Sequence, residues 1–113
     1  MEFQHEAIFC IVNDGYSEAV MDAAKKLGAT GGTVINARGT ASKEAETFFH
    51  ITVQPEKEIV MILVPKEIKD AVLHALYSEV GLDSAGQGIA FSVPVDSVVG
   101  LTSSTQKPEG KTE

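Results

Sequence analysis

The chain has 113 residues, 43% of them apolar, with a mean hydropathy of +0.05 and a formal charge of −7. That suits one compact domain whose core is adequate but not generous, and which gains from self-association. Nine Lys and Arg scattered along an acidic chain exclude a nucleic-acid binder, because neutralising phosphates needs clustered cations.

The N-terminus is acidic, lacks a basic segment and carries only the short apolar run Ala7-Ile8-Phe9-Cys10-Ile11-Val12. This predicts a soluble cytoplasmic protein with neither a signal peptide nor a membrane span. The lone cysteine excludes an internal disulfide, and its apolar neighbours mark a buried, inert thiol instead of a nucleophile. Residues 6–13 read as a first strand, a β-branched and aromatic run stopped by Asn13-Asp14-Gly15. A helix follows over 17–27, with Ala19, Val20, Ala23, Ala24 and Leu27 on one stripe, Lys25 and Lys26 late, and Gly28 just past its end.

The next stretch, Gly28-Ala29-Thr30-Gly31-Gly32-Thr33-Val34, is dense in glycine and leads into a strand over 33–38. Its glycines let backbone lie close to a bulky group, and Thr33 and Arg38 set a hydroxyl and a guanidinium beside it, as an anion cradle requires. The pattern is neither a dinucleotide fingerprint nor a Walker A loop, and a helix C-cap with a tight turn explains the glycines equally well. A polar loop covers 39–47, residues 48–53 alternate, Gln54-Pro55-Glu56 interrupts, and 58–64 is the continuous apolar run of a central strand. Pro65 opens a second helix, where Ile68, Ala71, Val72, Ala75, Leu76 and Val80 recur at helical spacing until Gly81. A last strand over 89–95 follows, and the 103–113 tail, with no aliphatic or aromatic side chain, reads as disordered, leaving 1–102 as a single domain.

Each helix closes on glycine, passes through a turn of small residues and enters a strand, so the chain holds two similar β-α-β halves. Two such halves build an α+β ferredoxin-like βαββαβ sandwich, a four-stranded sheet with both helices on one face. The strand containing Val60 and Ile62 is apolar on both sides, so the uncovered face is expected to pack against other copies.

Four segments in this order then carry a family resemblance: the turn at 28–34, Ala37-Arg38-Gly39, Lys57-Glu58-Ile59-Val60-Met61-Ile62-Leu63-Val64-Pro65, and Gly86-Gln87-Gly88-Ile89-Ala90-Phe91-Ser92-Val93-Pro94-Val95. Over 7–101 the chain resembles the P-II nitrogen-regulatory family and its P-II-like relatives. The resemblance implies a P-II-like homotrimer with its sheets facing inward and a small-molecule site in each cleft between subunits. It implies a regulator, not an enzyme, with no obligatory cofactor, which senses the adenylate pool and often 2-oxoglutarate. It also implies that a loop between the second and third strands, here 40–54, docks onto a target enzyme, transporter or transcription regulator in nitrogen metabolism. That loop has no tyrosine, so uridylylation of the usual kind has no acceptor.

By the same resemblance, Thr33 matches a threonine of the nucleotide site, and Arg38 with Gly39 match the loop base. Lys57 matches a lysine at the loop's far end. Gly86, Gln87 and Gly88 match a Gly-Asp-Gly turn that wraps the adenine and phosphates, and Ile11 and Leu63 fall where apolar side chains face the base. The departures are Gln87 for the acidic residue, Ile89 for a following lysine, and no basic residue over 98–105. Each missing charge-assisted contact is worth roughly 1.5–3 kcal/mol, which weakens triphosphate binding. The expected effector is an adenine nucleotide (ATP, ADP, AMP or a cyclic nucleotide), with bicarbonate as another anion that Arg38, Lys57 and the turn amides can hold. His5, His50 and His74 are isolated and form no metal-ligand spacing.

Two other classes stay open. Small phosphate-ester or acyl-phosphate hydrolases on ferredoxin-like folds use an arginine and an amide cradle, which Arg38 beside glycines imitates, although no Ser-His or Cys-His pair can be inferred. A ligand-free trimeric scaffold resembling copper-tolerance relatives would leave the glycines purely structural.

Overall fold

The computed structural model describes residues 3–40, 55–84 and 87–101; the expectations for residues 41–54, for Gly86 and for the 103–113 tail lie outside the described residues. Alternation and helical spacing resolve into β1 His5–Asn13, α1 Ser17–Lys25, β2 Thr33–Arg38 and β3 Glu56–Pro65. A 3-10 turn, Lys66–Ile68, then leads into α2 Lys69–Glu79 and β4 Gly88–Val95. The strands form one sheet in the order β2-β3-β1-β4 with every neighbouring pair antiparallel, as a βαββαβ chain requires.

Alternation decides which half of each strand meets the helices. Ile8, Cys10 and Val12 of β1 and Val60, Ile62 and Val64 of β3 are fully buried against Val20, Ala23 and Ala24 of α1 and Val72, Ala75 and Leu76 of α2. Val60 and Ile62 therefore belong to the helix-side core, and the uncovered side of β3 is made by their neighbours Ile59, Met61 and Leu63. The middle of that open face is largely apolar. In register it reads Ile35, Ile59, Ile11, Ile89 in one row and Thr33, Met61, Phe9, Phe91 in the next. Phe9 and Phe91 stack with centroids 5.4 Å apart, and Ile89 is still 60% exposed.

Three boundaries differ from expectation for local reasons. Pro65 ends β3 instead of opening the second helix, because the Lys66 N–H still donates to the Gln4 carbonyl and extends the ladder with β1. Glu56 belongs to β3 and not to the interruption before it. α1 ends at Lys25, after which Leu27 and Gly28 donate to the Ala24 and Lys25 carbonyls in a tightened last turn. Gly28 leaves that turn at φ +113, Leu27 is exposed, and Ala29 takes the buried place instead. Cys10 lies in the core, where burial pushes its thiol up to about 11, as expected of an inert side chain. No described helix is long and apolar enough to cross a membrane.

Candidate functional site

The glycine turn is built around close approach. A Cβ on Gly32 would sit 2.9 Å from the Met21 sulfur and 3.0 Å from the Met61 carbonyl oxygen, so the turn lies directly on β3 before β2 begins. Thr33 then enters the sheet opposite Met61. Because β2 starts there, the open face has a step, and Ala7, Gly31, Gly32, Thr33, Met61 and Leu63 line a groove of about 370 Å³. Thr33 is the one polar side chain among these lining residues, and the groove brings Thr33 and Leu63 together. Ile11 lies on the same open face opposite Ile59.

At the far end of β2 the loop base is closed. The Gly39 N–H donates to the Pro55 carbonyl at 2.7 Å, and Arg38 stands opposite Glu56. Lys57 stands opposite Ala37 and Asn13; its stem lies along Gly39, where a Cβ would meet Cε at 2.9 Å, and its ammonium donates to Asn13 Oδ1. Alternation puts Lys57 on the open face with Thr33, Leu63 and Ile11, whereas Arg38 leaves the sheet on the helix side with its partner Glu56. The two cations are thus close in sequence but separated by the sheet. Met61 lies four positions along β3 from Lys57, a span of about 13 Å.

Gln87 and Gly88 lie at the opposite edge of the sheet, across β3 and β1 from β2. Gly88 pairs with Val12, and a Cβ there would run into the Ile11 carbonyl oxygen, so backbone contact alone demands glycine. The Gln87 side-chain amide donates to the Val80 carbonyl at 3.3 Å and closes the end of α2, a bond that a carboxylate could not donate. Within one protomer these residues do not meet Thr33 or Lys57.

A further residue organises this end of the sheet. α1 has no side-chain cap of its own at Tyr16. Instead Glu58, on the helix side of β3, accepts the Gly15 N–H at 3.0 Å and the Ser17 N–H at 3.2 Å, and the Glu56 carbonyl accepts the Asp14 N–H. The missing local cap is the only sequence signal for Glu58, since its partners are more than forty residues away. His5 and His74 lie on different elements, His50 lies outside the described residues, and among the described residues no cluster of three His, Cys, Asp or Glu is suited to a metal. The open face thus carries an apolar groove with the Thr33 hydroxyl in its lining, and the Lys57 ammonium lies farther along β3, outside that groove.

A family model described as nitrogen regulatory protein P-II matches residues 5–105. Among solved structures, PII of Arabidopsis thaliana bound to citrate is 22% identical with a TM-score of 0.68, covering 88% of this chain and 82% of that one. The GlnK–ATP complex of B. subtilis is 22% identical with a TM-score of 0.65 and covers 84% of each chain. A PII-like signalling protein of Thermus thermophilus is 21% identical with a TM-score of 0.61, covering 84% of this chain and 90% of the other. A search of curated protein sequences finds no significant match. The sheet order, the glycine turn on β3 and the extent of the family match lead to one assignment: the chain belongs to the nitrogen regulatory protein P-II family.

Proposed function

We propose that this chain is a P-II-type signalling protein that binds a small anionic effector, an adenine nucleotide, in clefts between the subunits of a homotrimer, and regulates a target protein through the 40–54 loop. The observation that carries the reading is the shared face of Thr33, Leu63 and Lys57. An apolar groove with a single hydroxyl suits a planar ring, and a cation about 13 Å along the strand suits the phosphates of the same molecule. The anions named for two similar structures, ATP on GlnK and citrate on PII, support an anion here.

The same face supports the proposed trimer. With Ile35, Ile59, Met61, Phe9, Ile11 and Phe91 uncovered, the protomer exposes a contiguous apolar surface that a ring of inward-facing sheets would bury. Such a ring places the β4 edge of one copy beside the β2 edge of the next. Gln87 and Gly88 of a neighbour would then complete the site begun by Thr33, Gly39 and Lys57.

The test is a thermal-shift panel of ATP, ADP, AMP, a cyclic nucleotide, 2-oxoglutarate and bicarbonate on the full chain. A ligand held at a hundred times its Kd stabilises the native state by about 2.7 kcal/mol. At least one nucleotide should raise the midpoint, and Thr33→Val and Lys57→Ala should each reduce the shift. A panel without any shift refutes the proposal.

A further inference from the structure

We propose that Asn13 controls access to Lys57: its amide oxygen holds the ammonium in the ligand-free protein, and an anion binds at Lys57 only by displacing it. The inference rests on the reading of the open-face cleft given above.

The start of β3 grips the turn between β1 and α1 through three consecutive residues. The Glu56 carbonyl takes the Asp14 N–H, the Lys57 ammonium donates to Asn13 Oδ1, and the Glu58 carboxylate takes the Gly15 and Ser17 N–H groups. Two of these grips are made by backbone or by a carboxylate on the helix side. Only the Lys57–Asn13 bond lies on the open face, where an effector would arrive.

The freedom of Lys57 is narrow. Its stem lies over Gly39, with Cγ and Cε 3.1 and 2.9 Å from where a Cβ would stand, so a side chain at 39 would push the stem away. With its stem so placed, the ammonium swings mainly about its last bonds, between Asn13 and the edge of β2. Asn13 offers it a neutral acceptor. A phosphate or carboxylate makes a stronger, charge-assisted bond and can replace the amide, whereas an aspartate at 13 would form an ion pair that competes much harder. Asn13 is therefore a resident competitor of intermediate strength. Its displacement removes one of the ties on the turn that starts α1, which carries the arrival of ligand from the loop base to the helix layer.

The experiment is calorimetric titration of the full chain with ATP and with tripolyphosphate, a polyanion that has no ring. Asn13→Ala should bind both about five- to tenfold tighter than the parent chain, and Asn13→Asp at least tenfold weaker. The gain in Asn13→Ala should vanish when Lys57→Ala is added. Asn13→Ser, too short to reach Lys57 but suited to a turn, replaces Asn13→Ala should that variant not fold. A purely structural asparagine would give weaker binding in every variant, and that result, or a gain that survives Lys57→Ala, overturns the proposal. If tripolyphosphate divides the variants while ATP does not bind, the competitor stands and the nucleotide reading falls. If ATP binds and the variants do not divide, the reverse holds; if neither ligand binds, both fall.

Discussion

Met61→Asp separates assembly from folding. Met61 sits in the middle of the open face, between Thr33 on β2 and Phe9 on β1, while its neighbour Ile62 is fully buried on the helix side. In a ring of three inward-facing sheets, the substitution removes a methionine whose burial is worth about 1.5–3 kcal/mol, and it desolvates a carboxylate at a cost of several more. Roughly 5 kcal/mol per copy is roughly 15 kcal/mol for three. A trimer that just holds together at micromolar concentration is stabilised by about 16 kcal/mol over its two association steps, so nearly all of that stabilisation is lost. The helix-side core is untouched, and the protomer should keep its secondary structure. Ile62→Ala should do the opposite, lowering fold stability by about 2–5 kcal/mol without selectively weakening assembly. Light scattering coupled to size exclusion should give three times 12.0 kDa for the parent chain and 12.0 kDa for Met61→Asp, with unchanged far-UV dichroism. The reasoning is refuted if the parent chain is a stable monomer, or if Met61→Asp stays trimeric.

Gly88→Ala should unseat the start of β4, because the added Cβ meets the Ile11 carbonyl and Val12 Cγ1 and the backbone φ of +157 suits glycine; a loss of about 1–3 kcal/mol in urea unfolding is expected. Glu58→Ala leaves the Gly15 and Ser17 N–H groups without their acceptor and should cost about 1–3 kcal/mol, with faster hydrogen exchange at those two amides than in Glu58→Gln. Burial raises the Cys10 thiol from 9.0 to about 11, so the folded state favours the neutral form: this contribution is complete below pH 9 and is lost as the pH rises toward 11. Unfolding midpoints should fall over that window, a fall that Cys10→Ala should lack, and alkylation at pH 8 should occur only when the chain unfolds.

Much of the architecture was legible because local pattern and tertiary role agree. The run 58–64 and the two glycine-ended helices marked the elements and their order, and a sheet with helices on one side follows from them. What could not be read was the face each residue takes. A continuous apolar run conceals its own alternation, so Val60 and Ile62 looked equivalent to Ile59 and Met61 until the register with β1 was known. Arg38 and Lys57 looked like one cationic pair for the same reason, since their separation across the sheet depends on β2 pairing with β3. Gln87 resembled a changed ligand residue, and its bond to the Val80 carbonyl, seven residues back, follows no local pattern. Asn13 and Glu58 gave no motif because both act across the sheet.

The sheet order has a consequence for how this protein is made. β1 lies inside the sheet, flanked by the strands that come third and fourth in the chain; Ile8 stands opposite Ile62 on one side and Ser92 on the other. β1, which precedes the other described strands, is fully paired only when β4 is in place. Until residues 56–65 are synthesised, β1 lacks both of its described partners, and α1 lacks the β3 half of the surface it packs on. Cooperative folding must therefore wait for nearly the whole described domain, and chains released before β4 would expose the backbone edge of an apolar strand to their neighbours.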